Sequence, residues 1–403
     1  MPVAVTPSER RLFLTLPLAI VAVQLVWGGV DLLLATALDS VQRGTAVTTY
    51  GWIIGIASLF ALVAHPAAGA ASDRTGPQFG RRSVWVVVGS LGATLGLLSF
   101  GQAHTVPALG VTYVVAFAFL PVMLVPLYAA IPDRVGPTRR GAIGAIVGAA
   151  TIVGGVAGNI LAARFAGNIA LGTAVFAAVL LAGAAVFALL GAESKELRPR
   201  PASSLASALR EIRMIPHHHP DFTWFWLGRF ALFLGYATIT GLSYYILRDH
   251  IGESHPAEGV AVFAVVTGST TLLASVVAGP WSDRARRRKP FLVVASVALG
   301  LGVLVPAVIP SFAAVMVAAA IIGLGFGVHL SVGTAVATLV LTSAETSGRD
   351  IGLLGLANAG AMVVAPFLGS YAAAAFGYPV LLVAAAAACG VAALAIVPIR
   401  SVR

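Results

Sequence analysis

Charged residues are scarce in this sequence. Asp, Glu, Lys and Arg make up 10% of its 403 residues, whereas soluble proteins carry roughly a quarter. Hydrophobic residues make up 59%, and the mean hydropathy is +0.95. These values exclude a soluble globular protein and predict a polytopic membrane protein.

Cysteine is almost absent as well. Cys389 is the single cysteine and lies in an Ala-rich apolar run, which excludes a disulfide framework and a thiolate metal site. Residues 217–219 are three consecutive histidines, but adjacent residues do not share one helical face and no other Cys or His cluster joins them. A solvated linker is therefore favoured over a metal site, and we predict no metal and no organic cofactor.

Basic residues outnumber acidic ones, and the formal net charge is +10. The positive charges are spread in short clusters between apolar runs, and no basic domain exists, so nucleic acid is excluded as a partner. The first apolar run, residues 12–36, is longer than the 7 to 15 residues of a signal-peptide core. We therefore predict that this run is the first membrane helix.

The long apolar runs set the fold prediction. A helix needs about 20 apolar residues to cross a bilayer. By this length criterion the sequence contains twelve membrane helices. We predict them at residues 12–36, 46–69, 83–103, 107–130, 141–165, 168–191, 223–247, 258–280, 290–310, 313–340, 351–374 and 378–398. The expected domains are an N-terminal six-helix half (1–191), a linker (192–222) and a C-terminal six-helix half (223–403).

The basic residues predict the orientation. When loops are assigned alternately, one side receives only Arg43, Arg164 and Arg248, and the other receives the rest of the 25 Lys and Arg, apart from Arg229 inside helix 7. The positive-inside rule then places both termini and the linker on the cytoplasmic side of the plasma (inner) membrane. In the linker, residues 203–215 repeat apolar side chains on one helical face, which predicts a short amphipathic helix at the inner membrane surface.

A charged motif occurs twice between apolar runs. The pairs Gly69 and Gly279, Ser72 and Ser282, Asp73 and Asp283, and Arg74 and Arg284 are each 210 residues apart. A second pair of loops shows nearly the same offset, because Gly141 and Gly352 are 211 residues apart. An internal repeat flanked by membrane helices is typical of a secondary transporter built from two halves.

The first motif copy, Gly-x-x-Ser-Asp-Arg followed by Gly80-Arg81-Arg82, resembles the loop between helices 2 and 3 of the major facilitator superfamily. Its spacing, with Phe79 before Gly80, and the second copy's ending in residues 288–291 resemble the sucrose and glycoside proton-symporter branch. The resemblance implies an all-α membrane protein, in which two six-helix halves surround a central site that works by alternating access.

The resemblance also implies a role for the charged loops. In the superfamily the motif Asp holds the two halves together at the cytoplasmic face, near the start of helix 11, while the outside is open. The predicted cytoplasmic gate comprises Gly69, Asp73, Arg74, Gly80, Arg81, Arg82, Arg134, Asp283, Arg284, Arg349 and Asp350. Antiporters of the superfamily carry a Gly-Pro pair in helix 5, and this sequence departs from them, because it has no proline between Pro137 and Pro199.

Glycine is abundant in predicted helix 5. Small residues at four-residue spacing allow helix backbones to approach closely in lipid. The glycines concerned are Gly141, Gly144, Gly148, Gly154, Gly155 and Gly158. We therefore predict close helix packing along helix 5.

Asp31 is the only carboxylate well inside a predicted span. Gln24, Trp27 and Asp31 are spaced i, i+3 and i+7 and share one face of helix 1. A charge in the hydrocarbon region costs at least ~2.5–3.5 kcal/mol, and burial disfavours the charged form of a carboxyl group. Asp31 is thus a candidate for proton coupling; the alternative is a structural hydrogen bond at the edge of a water-filled outer funnel.

Arg229 in helix 7 is the second intramembrane charge. It could bind a sugar hydroxyl or a substrate carboxylate, or pair with Asp31, but its long side chain could also reach the inner headgroups. Sugar sites combine hydrogen-bonding side chains with aromatic faces, and the proposed substrate-binding set is Gln24, Trp27, Asn159, Arg229, Tyr236 and Asn358. Each of these polar groups could instead form a helix–helix hydrogen bond. Histidine is the side chain whose unperturbed pKa lies near neutrality, so His65 and His329 are the alternative coupling groups.

The sequence therefore predicts proton-coupled symport of a sugar or glycoside by a monomer in the lipid bilayer, with protons as coupling ions. Acidic residues in helices 2 and 4, typical of sodium-coupled relatives, are missing from those predicted spans. Proton-linked efflux of an amphiphilic compound or sugar is the alternative. A non-transporting sensor or scaffold lacks a soluble domain of useful size, and an enzyme is disfavoured because no nucleophile–base set is present.

Overall fold

The computed structural model describes residues 7–75, 82–191, 220–285, 287–340 and 347–401, with only the backbone described at residues 7, 8, 43, 338 and 347–352. The predicted amphipathic helix of the linker and the three histidines lie outside these residues. The main helices of the described part are α1 (Pro7–Val41), α2 (Ala46–Arg74), α3 (Ser83–Gly101), α4 (Val106–Arg134), α5 (Arg140–Arg164), α6 (Ile169–Leu190), α7 (Pro220–Gly241), α8 (Pro256–Ala285), α9 (Lys289–Val308), α10 (Phe312–Leu339), α11 (Ser347–Phe376) and α12 (Tyr378–Ile396).

These helices confirm the predicted all-α membrane fold. Eleven helices in the described ranges are long and apolar enough to cross a membrane, and twelve are found when the bent α7 segment counts as one span. Each lies on one of the twelve predicted segments, because a run of about 20 apolar residues satisfies its backbone groups in lipid only as a helix.

Several helices continue beyond their apolar stretch. α2 runs to Arg74 rather than residue 69, and α8 runs to Ala285 rather than residue 280. The sequence motif that we assigned to a loop is therefore partly helical, with Asp73 and Asp283 in the last turns of α2 and α8. Hydropathy marks where the apolar surface ends, whereas the helix ends where its backbone hydrogen bonds end.

Predicted helix 7, residues 223–247, is broken rather than continuous. α7 ends at Gly241, and the following segment, Ser243–Ile251, is bent from it by 51° and ends in a π-helical turn, Ile246–Ile251. Beside the bend, the carbonyl of Gly241 accepts a hydrogen bond from the Tyr50 hydroxyl at 2.9 Å. A π-helical turn is a known cause of helix bending, and apolar periodicity does not reveal it.

Contacts divide the chain into two compact units. The first unit is Met1–Gly44 with Ile56–Ser203, and the second unit is Thr45–Gly55 with Ser204–Arg403. In the first unit α1 packs on α5 and α6, and α3 packs on α4 and α6. In the second unit α7 packs on α11 and α12, and α9 packs on α10 and α12. The same four helix pairs recur when each helix number is raised by six, so the packing repeats as the motifs do.

The first turns of α2 belong to the second unit. Tyr50 and Tyr245 form an edge-to-face ring pair with centroids 5.2 Å apart. The rings of Trp52 and Phe367 are 5.0 Å apart in the same geometry. Gly51 lies so close to α11 that a Cβ atom there would stand 1.9 Å from the Ser370 hydroxyl oxygen.

Candidate functional site

Asp31 lies in a polar and aromatic cluster of the first unit. The hydroxyl of Tyr113 on α4 donates a short hydrogen bond to Asp31 Oδ1. Tyr113 stacks on Phe117 at 4.3 Å, and Phe117 contacts the Trp27 ring edge-to-face at 5.6 Å. The Trp27 ring lies 6.4 Å from His65 on α2. We call Trp27, Asp31, His65, Tyr113 and Phe117 the Asp31 cluster.

The predicted face of α1 is observed. Gln24, Trp27 and Asp31 are partly exposed, whereas the residues between them at 25, 26, 29 and 30 are buried. These three side chains are therefore less buried than their neighbours along α1. His65 belongs to the same cluster and donates through Nδ1 to the Ala61 carbonyl oxygen at 2.7 Å, so three predicted residues meet.

Two predicted substrate-binding residues are not part of this cluster. The Asn159 side-chain amide donates to the Gly155 carbonyl of its own helix at 3.0 Å, rather than to another helix. Gln24 packs on α5, where a Cβ atom on Gly154 would stand 2.8 Å from Gln24 Cβ. Their roles in substrate binding stay predictions.

Arg229 and Asn358 meet in the second unit. Arg229 Nε donates to Asn358 Oδ1 at 2.8 Å, which joins α7 to α11. The guanidinium carbon lies 5.4 Å from the centroid of the Phe233 ring, within the distance of a cation–π interaction. The side chain is thus held by an amide and an aromatic face inside this unit, an arrangement that favours a binding role over reaching for the headgroups.

His329 and Tyr236 complete this second cluster. The His329 side chain on α10 is buried, and its ring lies 6.3 Å from that of Phe233. Tyr236 stacks on Phe326 with centroids 3.9 Å apart and planes inclined by 5°. We call this set the Arg229 cluster; it comprises Arg229, Phe233, Tyr236, Phe326, His329 and Asn358.

The motif charges of the first unit converge on Arg82. Its guanidinium lies 2.8 Å from Asp73 Oδ1 through Nη1, and Nε and Nη2 each lie 2.9 Å from Asp133 Oδ2. Nη1 also donates to the Ser72 hydroxyl at 2.6 Å. The side chains of Arg82 and Asp133 are both 5% exposed and that of Asp73 is 33% exposed, so this network of one cation and two carboxylates is buried at Arg82 and Asp133. Asp133 was not among the predicted gate residues.

The paired charged side chains of the second motif copy are more exposed than those of the first. Asp283 pairs with Arg288 at 2.7 Å, and the two side chains are 62% and 28% exposed, whereas Arg74 and Arg284 are exposed. Glycines of both copies approach a neighbouring helix, because a Cβ on Gly69 would contact Val125 of α4 and a Cβ on Gly279 would contact Ser331 of α10. Gly80 and Arg81 lie outside the described residues, and the side chains of Arg349 and Asp350 are not described.

Arg134 forms a further contact at this end of the first unit. Its Nη1 donates to the Gly191 carbonyl at 3.4 Å, and its guanidinium lies 5.7 Å from the Phe187 ring centroid. Beside it, Glu9 of α1 is buried and accepts from Arg139 at 2.9 Å. Glu9 was not predicted as a site residue, because it precedes the first apolar run.

We predict that Arg82→Gln destabilises the first unit strongly. Removing one partner of a buried ion pair leaves uncompensated charge and costs about 3–5 kcal/mol, and here two carboxylates lose the same partner. Arg288→Gln is the matched control, because an exposed pair contributes about 0–1 kcal/mol. Thermal unfolding of the purified protein, followed by tryptophan fluorescence, measures both variants.

Adding Asp133→Asn to Arg82→Gln removes one of the stranded charges. We expect this double variant to recover part of the lost stability. Equal unfolding temperatures for Arg82→Gln and Arg288→Gln would show that the buried network contributes nothing beyond an exposed pair.

The comparisons with known proteins agree with this architecture. The model of the Major Facilitator Superfamily matches residues 12–271 and 225–402. The chain therefore belongs to the major facilitator superfamily: it is a multi-pass membrane transporter of a small-molecule substrate and not an enzyme. A comparison with curated proteins finds no significant match.

Two solved structures illustrate the fold. The human organic anion transporter MFSD10 (TETRAN) has a TM-score of 0.72 and 15% identity, over 97% of this chain and 100% of that chain. A mutant of the nucleoside transporter NupG has a TM-score of 0.76 and 12% identity, over 96% of this chain and 99% of that chain. At these identities the likeness shows the fold alone.

Proposed function

We propose that the protein is a proton-coupled secondary transporter that takes up a sugar or glycoside by alternating access. It would work as a monomer in the plasma (inner) membrane with both termini in the cytoplasm. The proposed domains are the two six-helix halves, 1–191 and 223–403, joined by the linker 192–222. The Asp31 cluster is the observation that carries the proposal.

The chemistry of this cluster supports proton coupling. An ionisable group inside a membrane span is costly and is by default a functional candidate. Among the described residues Asp31 is hydrogen-bonded to the neutral Tyr113 hydroxyl and forms no ion pair, so a proton rather than a fixed cation is available to neutralise it. His65 lies in the same cluster and is the alternative proton acceptor, and His329 of the second unit is the other.

Two other acidic residues of this unit are already paired with a fixed cation. Asp73 and Asp133 lie at the ends of α2 and α4 and share Arg82, which leaves them poorly suited to bind a sodium ion. This arrangement supports protons as the coupling ions. We propose that the Arg82 network, with Arg74, Arg81, Arg134 and the second motif copy, acts as the cytoplasmic gate.

The proposed substrate contacts combine hydrogen-bonding groups with aromatic faces. Gln24, Trp27 and Asn159 would contribute from the first unit, and Arg229, Tyr236 and Asn358 from the second. Sugar rings bind well between such groups, because their hydroxyls need hydrogen bonds and their C–H faces pack on aromatic rings.

Proton-linked efflux is the second candidate. The stacked rings of Tyr236 and Phe326 beside a cation would also suit an amphiphilic compound. MFSD10, which has the same fold, is an organic anion transporter, and this alternative would give the present protein a comparable substrate. Import and export differ in a direct observable, since overexpression raises the cell content of an imported compound and lowers that of an exported one.

The proposal is tested by transport into proteoliposomes under an imposed pH gradient. Sugar uptake is expected to exceed its equilibrium level when the outside is acidic, and to fall to equilibrium when a proton ionophore removes the gradient. Uptake that ignores the gradient would contradict proton coupling. Liposomes that carry the reverse gradient test the efflux alternative.

A further inference from the structure

The Arg229 cluster contains a cation without a counter-ion among the described residues. α10 and α12 contain no acidic residue. The acidic residue of α7, Asp221, accepts backbone N–H groups of Arg400 and Ser401 at the far end of the helix. Arg229 is hydrogen-bonded to neutral Asn358. A charge held inside a membrane span without a counter-ion points to a ligand that supplies the opposite charge.

His329 provides a second, independent sign of a ligand. Its side chain is 2% exposed, yet neither Nδ1 nor Nε2 has a hydrogen-bond partner in the described part of the chain. Buried polar groups in native proteins are nearly always hydrogen-bonded, and an exception calls for a specific explanation. A bound molecule that contacts the ring nitrogen is such an explanation.

Gly333 keeps the space between these two side chains open. It lies one turn after His329 on α10, and a Cβ atom on it would stand 3.6 Å from His329 Nε2 and 3.9 Å from Arg229 Nη1. The two nitrogens therefore border one small volume. An alanine methyl group would fit there without a clash, but it would occupy that volume.

The side chains around this volume offer more hydrogen-bond donors than acceptors. Arginine donates five N–H bonds and accepts none, and the Asn358 oxygen is already used by Arg229 Nε. A neutral His329 ring donates through one nitrogen and accepts through the other, so in the tautomer that carries its hydrogen on Nε2 this nitrogen is a further donor toward the same volume. A carboxylate only accepts, and its two oxygens can each receive a charge-assisted bond at about 2.7–2.9 Å.

We propose that Arg229 and His329 form a carboxylate subsite and that the transported substrate is a small organic acid, such as a sugar acid or an aromatic acid. The carboxylate lies between Arg229 Nη1 and His329 Nε2, and the organic part packs on Phe326 and Tyr236. This assignment rests on the proposed transport and narrows its substrate to a compound that carries a carboxylate: a sugar acid for the uptake candidate, or an amphiphilic aromatic acid for the efflux candidate.

Matched acid and neutral compounds test the subsite on the purified full-length protein. The probes are glucuronate against glucose and benzoate against benzyl alcohol, with binding measured by calorimetry at millimolar concentrations. We expect at least one acid to bind about 10-fold to 100-fold more tightly than its neutral partner, the factor expected of a charged hydrogen bond. Equal affinity within both pairs, or no binding of either acid, would overturn the proposal.

The Gly333→Ala variant tests the geometry of the carboxylate subsite separately from the stability of the protein. We expect it to weaken binding of the acid about 10-fold or more and to leave the neutral partner unchanged, because the methyl group displaces a carboxylate oxygen. Gly390→Ala in α12 is the matched control, since a Cβ atom there meets nothing within 4 Å. Equal losses for acid and neutral compound, or a wild-type affinity for the acid in Gly333→Ala, would contradict the subsite.

Transport of the same compounds separates the two proposals. If the acid binds as expected but its uptake ignores the pH gradient, the subsite stands and proton coupling fails. If glucose is driven by the gradient while neither acid binds, proton coupling stands and the subsite fails.

Discussion

Asp31→Asn is expected to abolish accumulation of substrate under a pH gradient. With one proton coupled to each substrate, a gradient of one pH unit sustains about a 10-fold concentration ratio at clamped membrane potential, since one unit is worth about 1.36 kcal/mol. Asparagine has nearly the shape of aspartic acid but releases no proton. The ratio should therefore fall to one, whereas exchange of labelled for unlabelled substrate continues.

Two control variants separate coupling from local structure. Asp39→Asn makes the same chemical change two turns later in α1 and should keep the wild-type concentration ratio. Tyr113→Phe removes the hydrogen bond to Asp31 but keeps the carboxyl group, so gradient-driven uptake should persist. Full accumulation by Asp31→Asn would exclude Asp31, and the same measurement on His65→Gln and His329→Gln would then identify the coupling group.

The sequence predicted the position of Asp31 but not its surroundings. The helical spacing of Gln24, Trp27 and Asp31 places them on one face in any α-helix, so local periodicity was sufficient. Tyr113 lies 82 residues away on α4, and its contact with Asp31 depends on the depth and rotation of two helices. Hydropathy fixes neither quantity, because lipid-facing and helix-facing positions are both apolar.

The same limit applies to the charged residues. Arg82 and Asp73 were recognised from a motif. Asp133, which completes the network, lies in the last turn of α4 and was not assigned to the gate. The internal repeat suggested equivalent roles for Asp73 and Asp283, yet one is held by a buried arginine and the other by an exposed one. Repeated sequence thus predicted the repeated helix pairs but not the burial of each motif copy.

Glycine spacing predicted close packing along the whole of α5, and only its second half shows it. Cβ atoms on Gly141, Gly144 and Gly148 would meet nothing within 4 Å. A Cβ on Gly158 would stand 2.1 Å from the Leu25 carbonyl oxygen, and a Cβ on Gly154 would stand 2.8 Å from that of Val21. Spacing identifies glycines that share a face, but the crossing point of α1 and α5 decides which of them touch.

This difference within one helix leads to a prediction about folding. Gly158→Leu is expected to prevent recovery of folded protein, because the side chain would enter the backbone of α1, which can give way only if the whole helix moves. Even one added methylene in a packed interior costs about 1–3 kcal/mol, so Gly158→Ala should already lower the unfolding temperature. Size-exclusion chromatography and tryptophan fluorescence measure both effects.

Gly148 in the same helix is the matched control, and its substitution by alanine is expected to have the opposite effect on stability. Alanine is better than glycine in a helix by about 0.8–1.0 kcal/mol, and at Gly148 no neighbouring atom offsets that gain. Gly148→Ala should therefore leave stability equal or higher, and Gly148→Leu should still fold. If both glycines tolerate leucine, α1 and α5 do not approach as closely as the contact between Gly158 and Leu25 requires, and the packing of the first unit around the Asp31 cluster would have to be revised.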